Sequence, residues 1–325
     1  MKKITLIYRH RSSSFHSIEN VFNALLPFLN PNKIELPYHS SGFLNRLKNI
    51  LFIKKLNTVV YHITGHDYYL MLGLKDKKTI LTIHDIEFIK RSSGLKRYLL
   101  KKLWIDIPIK NATYVTTISN FSKNELLSIG NYTTPIKVIY NPLTLPIQLT
   151  EKTFNSDCPN ILHIGTKKNK NLLRLVEALK GVNCHLTIIG AINKNVIHQL
   201  KSNKISYTAK QDLSNADMIN EYKNCDILSF ISTYEGFGLP IIEAQAIGRV
   251  VITSNVSSIP EITNNSAILV NPFNVNEIKK GILELINNNE LRGNLIKNGL
   301  ENVKRFKPQK ISEQYSALYH QLLNE

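Results

Sequence analysis

The segment Glu235-Gly236-Phe237-Gly238-Leu239-Pro240-Ile241-Ile242-Glu243-Ala244 carries the residues best suited to chemistry in this 325-residue chain. Two carboxylates bracket a turn holding two glycines, which let a backbone approach a ligand closely or take φ > 0. Pro240 suits the first turn of a helix running to about Gly248. The free N–H groups at such a helix start, with the positive end of the helix dipole, form a seat for phosphate. By itself the carboxylate pair says little. A Glu in a first helical turn is equally explained by dipole stabilisation of about 0.3–1 kcal/mol.

A second cationic loop, Gly165-Thr166-Lys167-Lys168-Asn169-Lys170, follows the apolar run Ile161–Ile164, and a third, Arg9-His10-Arg11-Ser12-Ser13-Ser14, follows Ile4–Tyr8. No metal site is indicated. His62 and His66 are four residues apart, but Gly65 and the preceding strand argue against one helical face, and His62 reads as an ordinary strand-end histidine. There is no Ser/His/Asp elbow, and neither Gly165 nor Gly190 begins a GxGxxG.

These loops need elements to position them. Strands are predicted at Lys3–Tyr8, Thr58–Ile63, Thr79–His84, Thr113–Ile118 and Lys137–Tyr140, then at Asn160–Ile164, His185–Ile189, Ile205–Tyr207, Asp226–Ile231, Val250–Thr253 and Ala267–Val270. They are continuous apolar runs rather than alternating ones, the mark of strands covered on both faces in parallel α/β sheets. Helices are expected between them: from an N-cap at Ser17 to about Leu29, from Ser119 over Asn120–Ile129, and from Asn169 or Asn171 over Leu172–Leu179. The stretch from Pro142 to Pro159 shows neither period and reads as the linker between two βαβ-rich halves. A last amphipathic helix follows Pro308, with Ile311, Tyr315, Leu318 and Leu322 on one side. Ligands of open parallel sheets bind at the carboxyl ends of strands, so the chemistry is expected just after them.

Composition bounds the reading. At about 150 residues per domain the length suggests two domains, and 43% hydrophobic residues exclude intrinsic disorder. No apolar run approaches the ~18–20 residues of a membrane span. The start, Met1-Lys2-Lys3, resembles a secretory leader, but its apolar stretch ends at Arg9, so a buried first strand is expected. Three scattered cysteines, Cys158, Cys184 and Cys225, indicate neither disulfides nor a zinc ribbon and fit a reducing cytoplasm. The net charge of +17 is uneven: residues 1–150 carry 21 basic and 8 acidic side chains, residues 151–325 carry 20 and 16. A basic first half seeks an anionic partner, whether nucleic acid, membrane surface or phosphorylated ligand.

The stretch Glu235–Ala244, followed by Gly248 and Ser258-Ile259-Pro260-Glu261, resembles the donor site of the retaining family 4 glycosyltransferases. Thr82-Ile83-His84-Asp85, Thr117-Ile118-Ser119-Asn120-Phe121-Ser122-Lys123, Ile139-Tyr140-Asn141-Pro142 and Leu162–Thr166 through Lys170-Asn171-Leu172 resemble further segments of that family in the expected order. The resemblance implies the α/β GT-B fold: two Rossmann-like domains with parallel sheets facing a central cleft, residues 1–145 on the acceptor side and 159–306 binding the donor, with the last helix, 308–325, crossing back to the first domain. It implies a metal-independent hexosyltransferase without cofactor, taking a nucleotide-diphosphate sugar as donor and a saccharide or lipid-linked saccharide as acceptor in bacterial cell-surface polysaccharide synthesis.

Roles follow from the same resemblance. Glu243 would hold the ribose hydroxyls, and Glu235 would accept hydrogen bonds from the transferred sugar. The N–H groups of Phe237, Gly238 and Leu239, within the turn Gly236–Pro240, would donate to sugar and diphosphate oxygens. Lys170 would hold the diphosphate as charge builds on it, with Gly165, Thr166, Lys168 and Asn169 shaping that loop, and His84 would reach the donor sugar. Arg11, Ser13 and Ser14 are candidates for phosphate or acceptor, at a position that is often glycine-rich in the family. One departure stands out: where family members commonly place an Arg after the loop glycine, this chain has Thr166, so a bidentate guanidinium contact is absent; Lys167 or Lys168 would replace it as a point charge, or the first-domain loop Arg9-His10-Arg11 would reach over. No Asp-x-Asp pair occurs of the kind that holds a metal on nucleotide sugars in the other major glycosyltransferase fold.

Two segments concentrate the basic charge. In Phe43–Leu56, at ~100° per residue, Lys48 and Lys55 share a side with Leu44 and Leu51, which suits an interface of protein, headgroups and water. In Leu95–Trp104, Leu95, Leu99 and Leu103 form one stripe, as in an ordinary surface helix. The first domain is therefore expected to dock peripherally on an anionic membrane at its inner face. Competing readings are a GT-B nucleotide-sugar epimerase, which would need acid and base groups not identified here, a non-catalytic GT-B partner subunit, suggested by Thr166, and a basic nucleic-acid-binding protein. The last lacks basic residues interleaved with aromatics on a recognition module, so no nucleic-acid partner is expected.

Overall fold

The computed structural model describes residues 3–10 and 17–324. The chain divides into two compact units: residues up to Thr144 together with those from Pro308 onward, and Leu145–Lys307. The first unit is built on β1 (Ile4–Tyr8), β2 (Asn32–Glu35), β3 (Val60–Ile63), β4 (Lys78–Ile83), β5 (Tyr114–Thr117) and β6 (Ile136–Val138). All neighbours are parallel, in the order β2-β1-β3-β4-β5-β6. The second is built on β7 (Asn160–Ile164), β8 (His185–Ile189), β9 (Ser206–Lys210), β10 (Ile227–Phe230), β11 (Val250–Ser254) and β12 (Ile268–Val270), again all parallel, in the order β12-β11-β10-β7-β8-β9. Each order reverses once, between β1 and β3 and between β7 and β10.

The central strands are buried along their whole length, as their unbroken apolar runs require: β1, β3, β5, β10 and β11 expose no side chain. β2 is the one strand the sequence pattern does not announce. Asn-Lys-Ile-Glu sits at the sheet edge with only Ile34 partly covered, so it has no apolar run to show.

Two helices depart from expectation. The helix expected from Ser17 to Leu29 is broken into Ser17–Asn23 and Leu26–Leu29, with Pro27 in the first turn of the second piece. Proline has no N–H and its ring clashes with the preceding turn, so one continuous helix is excluded. Asn171 precedes Leu172–Ala178 but does not cap it with its side chain. It sits at φ +64, and its amide donates instead to the carbonyls of Ile231 at 3.1 Å and Pro272 at 2.6 Å. Ser119, by contrast, caps Asn120–Ile129 by accepting from the Ser122 N–H.

The last helix, Pro308–Asn324, belongs to the first unit and buries Ile311, Tyr315, Leu318 and Leu322 there, with Tyr319 beside them. Tyr319 OH lies 2.7 Å from His62 Nδ1, while His62 Nε2 lies 2.7 Å from Thr82 Oγ1. His62 is thus a fully buried, neutral core residue on β3, its pKa lowered to about 3 by burial.

Two apolar stripes of the first unit face outward. On the helix Phe43–Lys54, Phe43 and Leu44 are 78% and 70% exposed. On Gly94–Lys101, Leu95 and Tyr98 are 72% and 58% exposed, so this helix does not bury its leucine stripe as an ordinary surface helix would. A π-helical turn, Lys102–Asp106, continues it, and Arg46 of the first helix lies 4.7 Å from the Trp104 ring centroid, which joins the two stripes. No helix among the described residues is long and apolar enough to cross a membrane.

Candidate functional site

The reversal between β7 and β10 sets two loops side by side at the carboxyl ends of those strands, where open parallel sheets bind ligands. After β7 the chain turns at Gly165, whose φ of +91 and whose close approach to the Lys170 side chain both favour glycine. A short 3-10 turn, Lys168–Lys170, then aims Lys170 at the neighbouring loop: its Nζ lies 2.5 Å from Glu235 Oε1 and 4.5 Å from the centroid of the Phe230 ring on β10. The loops are laced together by Thr233 N–H donating to the Asn169 carbonyl at 2.8 Å and Asn169 Nδ2 donating to the Tyr234 carbonyl at 3.1 Å. Thr166 packs against Gly190, and Lys168 is exposed.

The second loop leads into the helix Leu239–Ala246. Gly238 precedes it at φ +109, and Pro240 stands in its first turn. Ser258 Oγ lies 3.0 Å from the carbonyl oxygens of both Glu235 and Phe237, fixing the shape of the turn. Glu243 is the fifth residue of the helix, beyond its first turn. Dipole stabilisation, which fades within the first turn, therefore does not account for it. It is buried, and it accepts a hydrogen bond of 2.6 Å from Tyr222 OH. Burial first, and the Glu243 carboxylate second, raise the Tyr222 phenol well above its usual range, so it stays a donor.

Gly165, Thr166, Lys168, Asn169, Lys170 and Glu235–Pro240 thus stand in two adjoining loops at the carboxyl ends of β7 and β10, with Glu243 on the helix that follows. His84 lies in the first unit, just past β4. It is buried with Nε2 at 2.8 Å from the Thr64 carbonyl, and burial, followed by the neighbouring His66, lowers its pKa to about 4. Facing a carbonyl, Nε2 must carry the proton of the neutral ring, which leaves Nδ1 as an acceptor. The Ser122 hydroxyl donates to the His84 carbonyl at 3.2 Å, holding that backbone. Arg11, Ser13 and Ser14 lie outside the described residues. Sequence reasoning missed Tyr222 and Asn171 as supports of the site. Neither leaves a local signal, because each acts across tens of residues on a strand or helix beside it. Among the described residues no group of three or more His, Cys, Asp or Glu side chains could hold a metal ion.

Two parallel six-stranded sheets of this order define the GT-B class. The whole chain superposes on Anabaena HepE with a TM-score of 0.81 at 14% identity, covering 98% of this chain and 99% of that one. Residues 149–302 match the family of group 1 glycosyl transferases. An uncharacterised glycosyltransferase of Methanocaldococcus jannaschii is 27% identical over 285 residues, 85% of this chain and 78% of that one. The O-antigen chain mannosyltransferase B of Escherichia coli is 25% identical over 276 residues, 76% and 70% of the two chains. The matched region lies within the second unit of the chain.

Proposed function

We propose that this protein is a retaining glycosyltransferase of the family 4 kind, moving a hexosyl group from a nucleotide-diphosphate sugar to a saccharide or lipid-linked saccharide in cell-surface polysaccharide synthesis. The observation that carries the proposal is the Lys170–Glu235 pair joining the loops after β7 and β10 at the reversal of the second sheet, with Glu243 buried on the helix that follows. HepE was solved with UDP and glucose, and the Escherichia coli relative is a mannosyltransferase of O-antigen; both support a nucleotide-sugar donor and a polysaccharide product.

In this reading the ribose hydroxyls donate to Glu243, an anion already oriented by Tyr222. The diphosphate lies against the turn at Gly238 and draws Lys170 toward itself, while Glu235 accepts from hydroxyls of the sugar. As the glycosidic bond breaks, charge grows on the diphosphate where Lys170 and the N–H groups of Phe237, Gly238 and Leu239 wait, the electrostatic contribution that is usually the largest in catalysis. The acceptor hydroxyl attacks from the face the diphosphate leaves: its oxygen bonds to the anomeric carbon as that carbon's bond to the diphosphate oxygen breaks, and its proton passes to the departing diphosphate. Nδ1 of His84 accepts from a donor-sugar hydroxyl. Lys168 supplies the charge that Thr166 does not. Turnover of UDP-, GDP- and ADP-sugars with saccharide acceptors, read as released nucleotide diphosphate and as the anomeric configuration of the product, tests the proposal. No turnover with any donor, or an inverted product, refutes it.

The same proposal includes peripheral contact with an anionic membrane through the outward stripes of Phe43–Lys54 and Gly94–Lys101. Their exposed Phe, Leu and Tyr side chains are interspersed with Lys48, Lys96 and Arg97 and with no carboxylate. Co-sedimentation with anionic against neutral vesicles checks it, and equal weak binding to both rejects it.

A further inference from the structure

Tyr222 and Glu243 stand on different helices, so their buried contact of 2.6 Å requires those helices to be held in fixed relation. Tyr222 lies in the last turn of the helix Asn215–Asn224, and Glu243 in the helix Leu239–Ala246. Arg249, directly before β11, is buried where both helices end. Its guanidinium donates to five carbonyl oxygens: Nε to Tyr222 at 3.2 Å, Nη2 to Lys223 at 2.9 Å, and Nη1 to Thr150 at 2.9 Å, Ile247 at 3.0 Å and Gly248 at 3.3 Å.

The last carbonyls of a helix have no partner within it, and they carry the negative end of its dipole. Arg249 meets that end of two helices at once. Among the described residues no carboxylate pairs with it. Asp226, whose charge acts on it, is itself held by Lys152 and by the N–H groups of Asn155 and Asn160. A buried charge without a counter-ion is seldom more stabilising than an apolar side chain of similar size. What it supplies is geometry, because the guanidinium is a rigid planar fork.

That geometry leads to the carboxylate from both sides. The fork holds the Tyr222 carbonyl directly. It also holds the carbonyl of Ile247, whose N–H donates to the Glu243 carbonyl at 3.3 Å. We infer that Arg249 is a positioning residue for Glu243: by clamping the two helix ends it sets the Tyr222 hydroxyl on the carboxylate that the donor's ribose would meet. The inference rests on the donor reading above and extends it to a residue that touches neither loop.

The test compares Arg249→Lys with Arg292→Lys. Arg292 is likewise buried, and its Nη1 donates to the Leu285 and Ile286 carbonyls at 2.7 and 2.8 Å in the helix Val275–Asn287, where neither Tyr222 nor Glu243 is a partner. Lysine keeps the charge at both places and loses the fork, so both variants lower the urea midpoint. Only Arg249→Lys raises the donor KM and the dissociation constant of UDP, GDP or ADP, by about three- to ten-fold with kcat little changed. Added to Tyr222→Phe, which removes the hydroxyl being positioned, it weakens binding by a further factor of about two or less. An unchanged KM in Arg249→Lys, equal effects of the two lysine variants on KM, or full multiplication with Tyr222→Phe overturns the inference. Arg249→Gln, neutral but still a donor, is measured alongside. If neither Arg249 variant folds, the residue serves stability alone and the inference also fails. A wild type that binds none of the three diphosphates rejects the donor reading instead. Urea midpoints of Tyr222→Phe, Arg249→Lys and the double variant then decide the clamp: non-additive shifts sustain it and additive shifts overturn it.

Discussion

Lys170 Nζ lies 2.5 Å from Glu235 Oε1, so two charged groups assigned to the donor neutralise each other across the ends of β7 and β10. They are 65 residues apart in sequence, and only the reversal of the sheet brings them together. In the proposed reading a bound diphosphate would compete for Lys170 and, in taking it, release Glu235 to the hydroxyls of the sugar. Lys170→Ala is expected to lower kcat by about 10²–10³-fold, the loss typical of removing one donor from a site of developing charge, and Glu235→Gln to lower it in the same direction. Because either change already breaks the pair, the double variant should lose less than the product of the two. Steady-state rates of the four proteins decide this. Multiplicative losses reject the coupling, and wild-type rates reject the roles.

Tyr222 shows how the second carboxylate is prepared. Its hydroxyl is 2.6 Å from Glu243 Oε2 in a buried setting. Tyr222→Phe removes one charge-assisted hydrogen bond, a loss of about 1.5–3 kcal/mol in stability by chemical denaturation. In the proposed reading Glu243 would hold a ribose remote from the bond that breaks, so a weakened contact would affect ground and transition states alike. KM for the donor should rise several-fold with kcat little changed. An equal fall in kcat and kcat/KM would place Glu243 at the reacting centre instead.

The central strands were legible in the sequence because a strand covered on both faces is an unbroken apolar run, as in His185–Ile189. The edge strand Asn32–Glu35 has no such run and was invisible. The helix break at Pro27 is readable in principle, since proline's missing N–H acts locally, whereas a cap signal at Ser17 marks where a helix starts and not where it stops. In the candidate donor site the loop residues are contiguous in sequence, so their placement after β7 and β10 followed from the strands. Tyr222, Asn171 and Arg249 were not legible, because each acts through a contact between elements whose neighbours only the sheet order determines.

Gly238 offers a backbone test. Its φ is +109, and a Cβ there would stand 3.0 Å from Ile259 Cδ1 and 3.1 Å from Ile241 Cδ1. Gly238→Ala therefore meets both an unfavourable dihedral and a packed wall, and should cost about 1–3 kcal/mol together with loss of nucleotide binding. Gly293, inside the helix Asn289–Val303, has open space where its Cβ would lie. Gly293→Ala should add about 0.5–1 kcal/mol. Urea midpoints and nucleotide-dependent thermal shifts measure both. A neutral Gly238→Ala would show that the turn relaxes and that its shape is not what seats the phosphate.

Three buried histidines set the acid limit of the fold. Burial lowers His62 to about 3 and both His84 and His163 to about 4. In the unfolded chain each titrates near its ordinary value of about 6.5. Between the two ranges the unfolded chain binds protons that the folded chain refuses, so stability rises with pH there and is lost as pH falls below about 6.5. Three such sites give a slope approaching 4 kcal/mol per pH unit around pH 4.5–5.5, before carboxylates contribute at lower pH. His62→Gln keeps a polar partner for Tyr319 and Thr82 and removes one titrating site, so its slope should fall by about a third. Urea unfolding of both proteins from pH 7.5 to 4.5 measures this. A flat profile in the wild type would mean that none of the three rings is held neutral by burial in the folded protein, His84 included.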